Sequence, residues 1–286
     1  MTMNNIELPY EVRTAWCHAA LVLSKKLAIG STQANDELRK LLKEFGTLEN
    51  IYQYFFSMVP VDADVEKEVN KAFSKVDFNF NVITCMDDNY PHSMNNVKGT
   101  PPVLYCQGDT SIFDLEKSIA FVGTRELNEP AHILSARNAI KRISLAGYEV
   151  IVSGLASGSD TLGHRSAIEN GMKTIAVLGT PLNMYYPKEN KELQMEIARN
   201  HLVVTEYPIG IRSFGAFFAN RNLTTVTLSN MGIIVARAGD KSGTQHAIRH
   251  CVNQGKPVYI LENNVFESEY KWVIKYKDKI KLIRDK

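Results

Sequence analysis

Cysteine is scarce. Cys17, Cys85, Cys106 and Cys251 are the four in 286 residues, and no two form a CxxC pair. That spacing excludes a zinc ribbon and shows no disulfide framework, so four reduced thiols are expected. Long apolar runs are missing too: none approaches the ~18 residues that a membrane-spanning helix requires. The opening MTMNNIELPYEV has no basic start followed by an apolar block. The expectation is a cytoplasmic protein with no secretory signal and no membrane association. There is no GxxxxGK[ST], hence no P-loop for an ATPase. There is no GxGxxG with a ribose-binding acid, hence no dinucleotide cofactor, and no GxSxG elbow. No HExxH is present either; His246 and His250 share a helix face, but a metal needs more ligands than that pair. No cofactor, no metal and no catalytic residue are expected. Net charge is nearly absent at +2, yet unevenly spread. Residues 1–78 carry 9 basic against 11 acidic residues, and 79–286 carry 24 against 20. A mildly basic second part is compatible with an anionic ligand.

Trp16, Ala19, Ala20, Leu23 and Leu27 recur at helical spacing. Gly30-Ser31-Thr32 breaks the pattern, and Asn35 or Asp36 is expected to cap the next helix, with its stripe of Leu38, Leu41, Leu42 and Phe45. Gly46 is the expected stop. Residues 62–75 read as a charged helix. From residue 79 the text changes to short apolar runs, at 82–84, 103–105, 119–122, 150–152, 174–178, 202–204, 233–236 and 258–261. Most of those from 119 onward are separated by amphipathic helical segments. Runs that are apolar throughout indicate strands buried on both faces of a parallel sheet. The expected fold class is therefore α/β: a Rossmann-like, doubly wound, mainly parallel sheet preceded by a small helical domain. The expected division is 1–78 helical and 79–286 core. The last stretch, YKWVIKYKDKIKLIRDK, reads as a basic solvated face.

In an open parallel sheet, ligands sit beyond the carboxyl ends of the strands. One such end carries SGLASGSD, residues 153–160. Gly154 and Gly158 let the backbone turn sharply and let a ligand approach it. Ser157, Ser159 or Asp160 is expected to cap the following helix. Free N–H groups at a helix start suit a phosphate. Ser242-Gly243-Thr244 repeats the device, and Gly123-Thr124-Arg125 follows another strand. Together they read as a site for a phosphate chain; the plainer reading is two tight turns.

These segments resemble one family, the bacterial DNA-processing protein A (DprA/Smf) proteins. The resemblance rests on Asn89-Tyr90-Pro91, Pro101-Pro102-Val103-Leu104-Tyr105, Val122-Gly123-Thr124-Arg125, SGLASGSDTLGH, TIAVLGTPLNMYYPKEN, TEYPIG, FANRN, and SGT followed by Gln254-Gly255-Lys256. It covers about residues 80–262. It implies a dimeric Rossmann-like core, here without the C-terminal winged helix that many members carry. It further implies binding of single-stranded DNA and loading of a RecA-type recombinase during DNA uptake, with no established reaction. Arg125 takes the place of the family's phosphate-contacting arginine. Lys188 with Asn190, and Arg221 with Asn222, fall at positions of the same pocket, and Arg212 is a further candidate cation. With Ser153, Gly154, Ser157, Gly158 and the Ser242-Gly243-Thr244 corner they complete the expected DNA- and phosphate-binding set. Tyr185, Tyr186, Phe214, Phe217 and Phe218 stand beside these cations in sequence as candidate base-stacking rings. The chain departs from the family pattern at Leu223, where a second arginine is usual, and at Arg237, where an acidic residue is usual. Two alternatives are a nucleotide-signal sensor and a nucleoside-monophosphate phosphoribohydrolase. The latter's motif requires a glutamate where this chain has Ala247, so its acid/base group is missing.

Overall fold

The computed structural model of the chain describes residues 9–267 and 270–284. Four helices come first: α1 (Tyr10–Leu23), α2 (Thr32–Phe45), α3 (Leu48–Phe56) and α4 (Ala63–Phe73). α1 is buried from Thr14 to Leu21 and rich in alanine, so neighbouring helices pack close to it. The start of α2 departs from expectation. Ser31 is the cap: in extended backbone (φ −139°), its hydroxyl accepts the Ala34 N–H at 3.2 Å. Asn35 is instead buried inside the helix and donates to Gly99 O and to Glu206. Asp36 accepts the Gly99 N–H. Gly46, at φ 82°, ends the helix as expected.

The described residues then form a nine-stranded sheet: β1 (Asn81–Thr84), β2 (Val103–Gly108), β3 (Ser118–Val122), β4 (Val150–Ser153), β5 (Lys173–Val177), β6 (Leu202–Thr205), β7 (Ile233–Val235), β8 (Val258–Leu261) and β9 (Ile280–Ile283). Their order is β1-β2-β6-β5-β4-β3-β7-β8-β9. The β1–β2 and β2–β6 pairs are antiparallel and the others parallel. Alternate residues of each strand enter different cores. Ala120, Val122, Val150, Val152, Ile175 and Val177 face one side, where α9 (Gly215–Thr227) and α10 (Thr244–Asn253) cover them. On the other side Ile119, Phe121 and Ile151 meet α6 (Pro130–Leu145) and α7 (Ser159–Glu169). Further along that side, Val103, Tyr105, Ala176 and Val203 share one core with α1–α4 and with α8 (Lys191–Asn200). Among the described residues there are also three short α-helices: α5 (His92–Asn95), α11 (Asn263–Phe266) and α12 (Lys271–Lys275).

The C-terminal stretch is a correction. It supplies β9, which pairs in parallel with β8. Within the lysine run, Ile280 and Leu282 pack on one face of the sheet and Ile283 on the other. The interposed Lys281 stays exposed, its ammonium 5.7 Å from the centre of the Tyr259 ring. Among the described residues no helix is long and apolar enough to cross a membrane.

The chain starts its parallel series at β3, winds outward through β4, β5 and β6, then crosses back to place β7 on β3's other side. The strand order therefore reverses between β3 and β7, and this is where an open α/β sheet offers a crevice.

Candidate nucleic-acid interface

A cleft of about 570 Å³ lies at that reversal. One wall is the loop after β3, residues 122–126; the second is residues 242–247 at the start of α10; the third is the α9 face bearing Gly215, Phe218, Ala219, Arg221 and Asn222. Three expected segments, Gly123-Thr124-Arg125, Arg221-Asn222 and Ser242-Gly243-Thr244, thus meet from separate parts of the chain. Arg125 is exposed, with its guanidinium carbon 6.0 Å from the centre of the Phe218 ring.

The two glycine-rich corners differ. At the α7 corner, Asp160 and Arg221 form a buried ion pair, Nη2 to Oδ2 3.7 Å. The Asp160 carboxylate also accepts the Ala156 N–H at 3.3 Å. Burial pushes the Asp160 carboxyl upward, with Arg221 pulling it back, and burial lowers the guanidinium. The Arg221 guanidinium fills the space where a side chain on Gly154 would stand. Gly158, at φ 71°, presses its backbone against Thr124 and Arg125. None of Ser157, Ser159 and Asp160 caps α7, contrary to expectation. The Ser159 hydroxyl and N–H both go to Thr124 O, at 2.9 and 3.0 Å. Asp160 turns back toward Ala156 and Arg221, and Ser157 is exposed. Ser153 is buried and donates to Phe121 O at 2.6 Å. The amides of Ala156 and Ser159 are thus already occupied.

The α10 corner is open. Thr244 Oγ1 donates to Gly123 O at 3.1 Å, and Asn222 Nδ2 to Gly243 O at 3.4 Å, which tie the loop to its neighbours. The helix has no side-chain cap. The Gly243 and Thr244 amides have no hydrogen-bond partner among the described residues. Ser242 Oγ is shielded from solvent and likewise without a partner.

Other expected residues lie elsewhere. Asn190 is buried, and its amide donates to Leu155 O and Thr161 Oγ1, both at 2.8 Å, so it braces the α7 corner from behind. Lys188 and Arg212 are exposed and do not line the cleft. Tyr186, two residues before Lys188, has its ring 4.9 Å from that of the cleft residue Phe218. Phe217 is core, stacked on Tyr207 at 4.0 Å, and the exposed Phe214 meets it edge-on. Tyr185 is half-buried beside Lys191. Leu223 lines two other depressions, both shared with His250, and not the cleft. Among the described residues no group of three or more His, Cys, Asp or Glu side chains is placed to hold a metal ion.

A family model described as DNA recombination-mediator protein A matches residues 81–276, more than half of the chain. The chain belongs to that family. It is 34% identical over 207 residues to DNA processing protein DprA of Streptococcus pneumoniae, covering 72% of this chain and 68% of that protein. It is 31% identical over 188 residues to DprA of Bacillus subtilis, covering 65% of this chain and 62% of that protein. Against protein Smf of Synechocystis it is 32% identical over 184 residues, 64% of this chain and 46% of its relative. The matched stretch is thus less than two thirds of the Bacillus and Synechocystis proteins. Among solved structures, pneumococcal DprA superposes with a TM-score of 0.68 at 26% identity, covering 96% of this chain and 93% of that one. DNA processing protein A of Helicobacter pylori, described for its unique single-stranded DNA binding mode, superposes with a TM-score of 0.63 at 29% identity, covering 72% and 92%.

Three polar residues of the cleft lining were not among the expected site residues. Glu126 and His246 stand at the rim of the cleft, and Asp160 is the counter-ion of Arg221 rather than a helix cap. Glu126 was in reach, directly after the Gly123-Thr124-Arg125 segment. The Asp160–Arg221 pair was not, because the two residues come from different βα units.

Proposed function

We propose that this chain binds single-stranded DNA at the cleft, without regard to base sequence. In this proposal it acts as a cytoplasmic homodimer and delivers the strand to a RecA-type recombinase during DNA uptake or recombination. The helices of residues 1–78 and the core of 79–286 are its proposed domains. The observation that carries the reading is the open start of α10 beside Arg125 and Phe218. Unpartnered amides, the positive end of a helix and a free guanidinium attract phosphate. An aromatic face at the same place takes a base of any identity. The recombinase step rests on family membership alone.

Filter retention of single-stranded against duplex DNA across a salt series tests the proposal. Single strands should be retained more strongly. Arg125→Ala should weaken binding to all sequences about equally, because phosphate contacts carry no base information. It should also lower the log–log salt slope by roughly 0.7. A sequence-selective loss would point to base recognition instead. No retention of single strands by the wild type at low salt removes the proposal in favour of a nucleotide-signal sensor, whose phosphate would use the same amides; thermal shift with a nucleotide panel tests that reading. The phosphoribohydrolase reading is weaker, since Ala247 lines the cleft where that chemistry needs a glutamate.

A further inference from the structure

We propose that Glu206 and Asn35 are positioning residues for the cleft, forming a proton-dependent latch that fastens the α1–α2 turn to α9. The latch holds while the Glu206 carboxyl is protonated and loosens when it ionises.

Glu206 follows β6 directly and is 9% exposed. It borders a small depression of about 60 Å³ between the Gly30–Thr32 turn, Asn35 of α2, the Gly99–Pro101 segment, and Asn220 and Thr224 of α9. Its Oε2 accepts a hydrogen bond from Asn35 Nδ2 at 3.2 Å, and the same amide nitrogen also donates to Gly99 O at 3.0 Å. A buried carboxyl thus shares one neutral donor with a backbone carbonyl. The turn itself is seated on α9. Asn220 Nδ2 donates to Gly30 O. A side chain at Gly30 would meet Phe217 Cε1 at 2.8 Å, so the backbone of the turn lies against that ring. On another face of the same turns, α9 presents Phe218, Arg221 and Asn222 to the cleft. The N-terminal helices therefore hold the back of the helix whose other face forms the proposed binding wall.

An ionised carboxylate in this position has only neutral hydrogen-bond partners to offset its burial, which makes burial costly. Glu206 forms no ion pair among the described residues. From α2 it faces neutral Asn35, and the adjacent Asp36 carboxylate is 3.9 Å from Lys98 Nζ. From α10 it faces His250, whose imidazole is held below its ordinary value by burial and by His246 and Arg249. α9 supplies only neutral Asn220 and Thr224 beside it, with Arg221 on the cleft side. Tyr207 is next in the chain, its hydroxyl donating to Phe217 O. Burial pushes the Glu206 carboxyl up to about 7, against the weaker pull of Asn35 and Tyr207. The folded value lies above the ordinary value of 4.5. The stabilisation is therefore fully present below about 4.5 and lost as pH rises through about 7. Buried His18 and His164, both pushed down to about 3, oppose this slope below neutrality, so only a difference between proteins isolates Glu206.

The test is thermal melting of the full chain from pH 5 to 8, wild type against Glu206→Gln, which keeps the shape and removes the charge. Over that range the wild type should lose on the order of 5 °C more than the variant. Parallel melting profiles would overturn the latch. If Glu206→Gln does not fold, Asn35→Asp decides: a second carboxyl at this place should steepen the loss, and an unchanged profile would sink the idea. The positioning role rests on the DNA-binding reading and has its own readout. Wild-type affinity for a short single strand should fall several-fold more between pH 6 and 8 than that of Glu206→Gln. Equal pH dependence in both proteins excludes positioning. If no protein retains single strands, the proposed function fails, and the melting profiles still decide the latch.

Discussion

The α7 and α10 corners carry similar sequence signs, glycine and serine at a strand-to-helix turn, and have opposite electrostatic states. At the α7 corner the chain supplies its own anion: Asp160 takes the Ala156 amide and faces Arg221, while Ser159 is committed to Thr124. At the α10 corner the Gly243 and Thr244 amides have no partner among the described residues, and the loop lines the cleft. Glycine-rich turns therefore do not by themselves mark a phosphate site. What matters is whether the fold already places its own counter-ion at the turn, as it does with Asp160 opposite Arg221. Both corners line the cleft; at one the nearby cation is paired within the fold, and at the other two amides stay without a partner among the described residues.

The largest effect expected from this comparison is at Gly154. Its neighbour is the Arg221 guanidinium, so Gly154→Val displaces that group and breaks its pair with Asp160. Breaking a buried pair by displacing one partner costs roughly 3–5 kcal/mol. The urea midpoint should drop accordingly, with the fold lost at the upper end of that range. A midpoint within error of wild type would mean that the corner is loosely packed and that the comparison is wrong.

An intermediate effect is expected at Gly243. A Cβ there meets nothing within 4 Å, and the backbone (φ −59°, ψ −21°) suits any residue. Gly243→Asp gives the α10 corner the internal anion that the α7 corner already has. Stability should rise by about 0.3–1 kcal/mol from the charge–dipole interaction. Single-strand retention should fall sharply, while Gly243→Ala keeps it. Wild-type affinity in Gly243→Asp would place the DNA away from this corner.

Most of the sheet was legible because its strands are buried on both faces and so read as continuous apolar runs. β9 was not, since this edge strand keeps Lys281 in water and its Ile280, Leu282 and Ile283 stand in a lysine-rich stretch. The cap of α2 was misassigned because Ser31 and Asn35 are both good capping residues. Only the extended backbone at Ser31 and the contacts of Asn35 with Gly99 and Glu206 separate them. In the site, the convergence of Gly123-Thr124-Arg125 with Ser242-Gly243-Thr244 followed from the rule that ligands gather at strand carboxyl ends. The inward role of Asn190 and the neutralised state of Arg221 did not follow, because both depend on partners distant in sequence.

The smallest effect is expected at Leu223, where sequence pattern and geometry disagree. The resemblance described above implies a second arginine there, so its restoration would be expected to tighten DNA binding. On α9, however, each residue advances about 100° around the axis, so position 223 lies ~200° from Arg221. Gly215, Phe218, Ala219 and Asn222 follow the cleft face, whereas Asn220, Leu223 and Thr224 line the depression beside Glu206. An arginine at 223 would enter surroundings that already hold His250, Lys98 and Lys256. Leu223→Arg should leave single-strand affinity within about twofold and the salt slope unchanged, whereas Ala219→Arg, on the cleft face, should raise the slope by roughly 0.7. A steeper slope in Leu223→Arg with none in Ala219→Arg would move the DNA track from the cleft to the opposite side of α9.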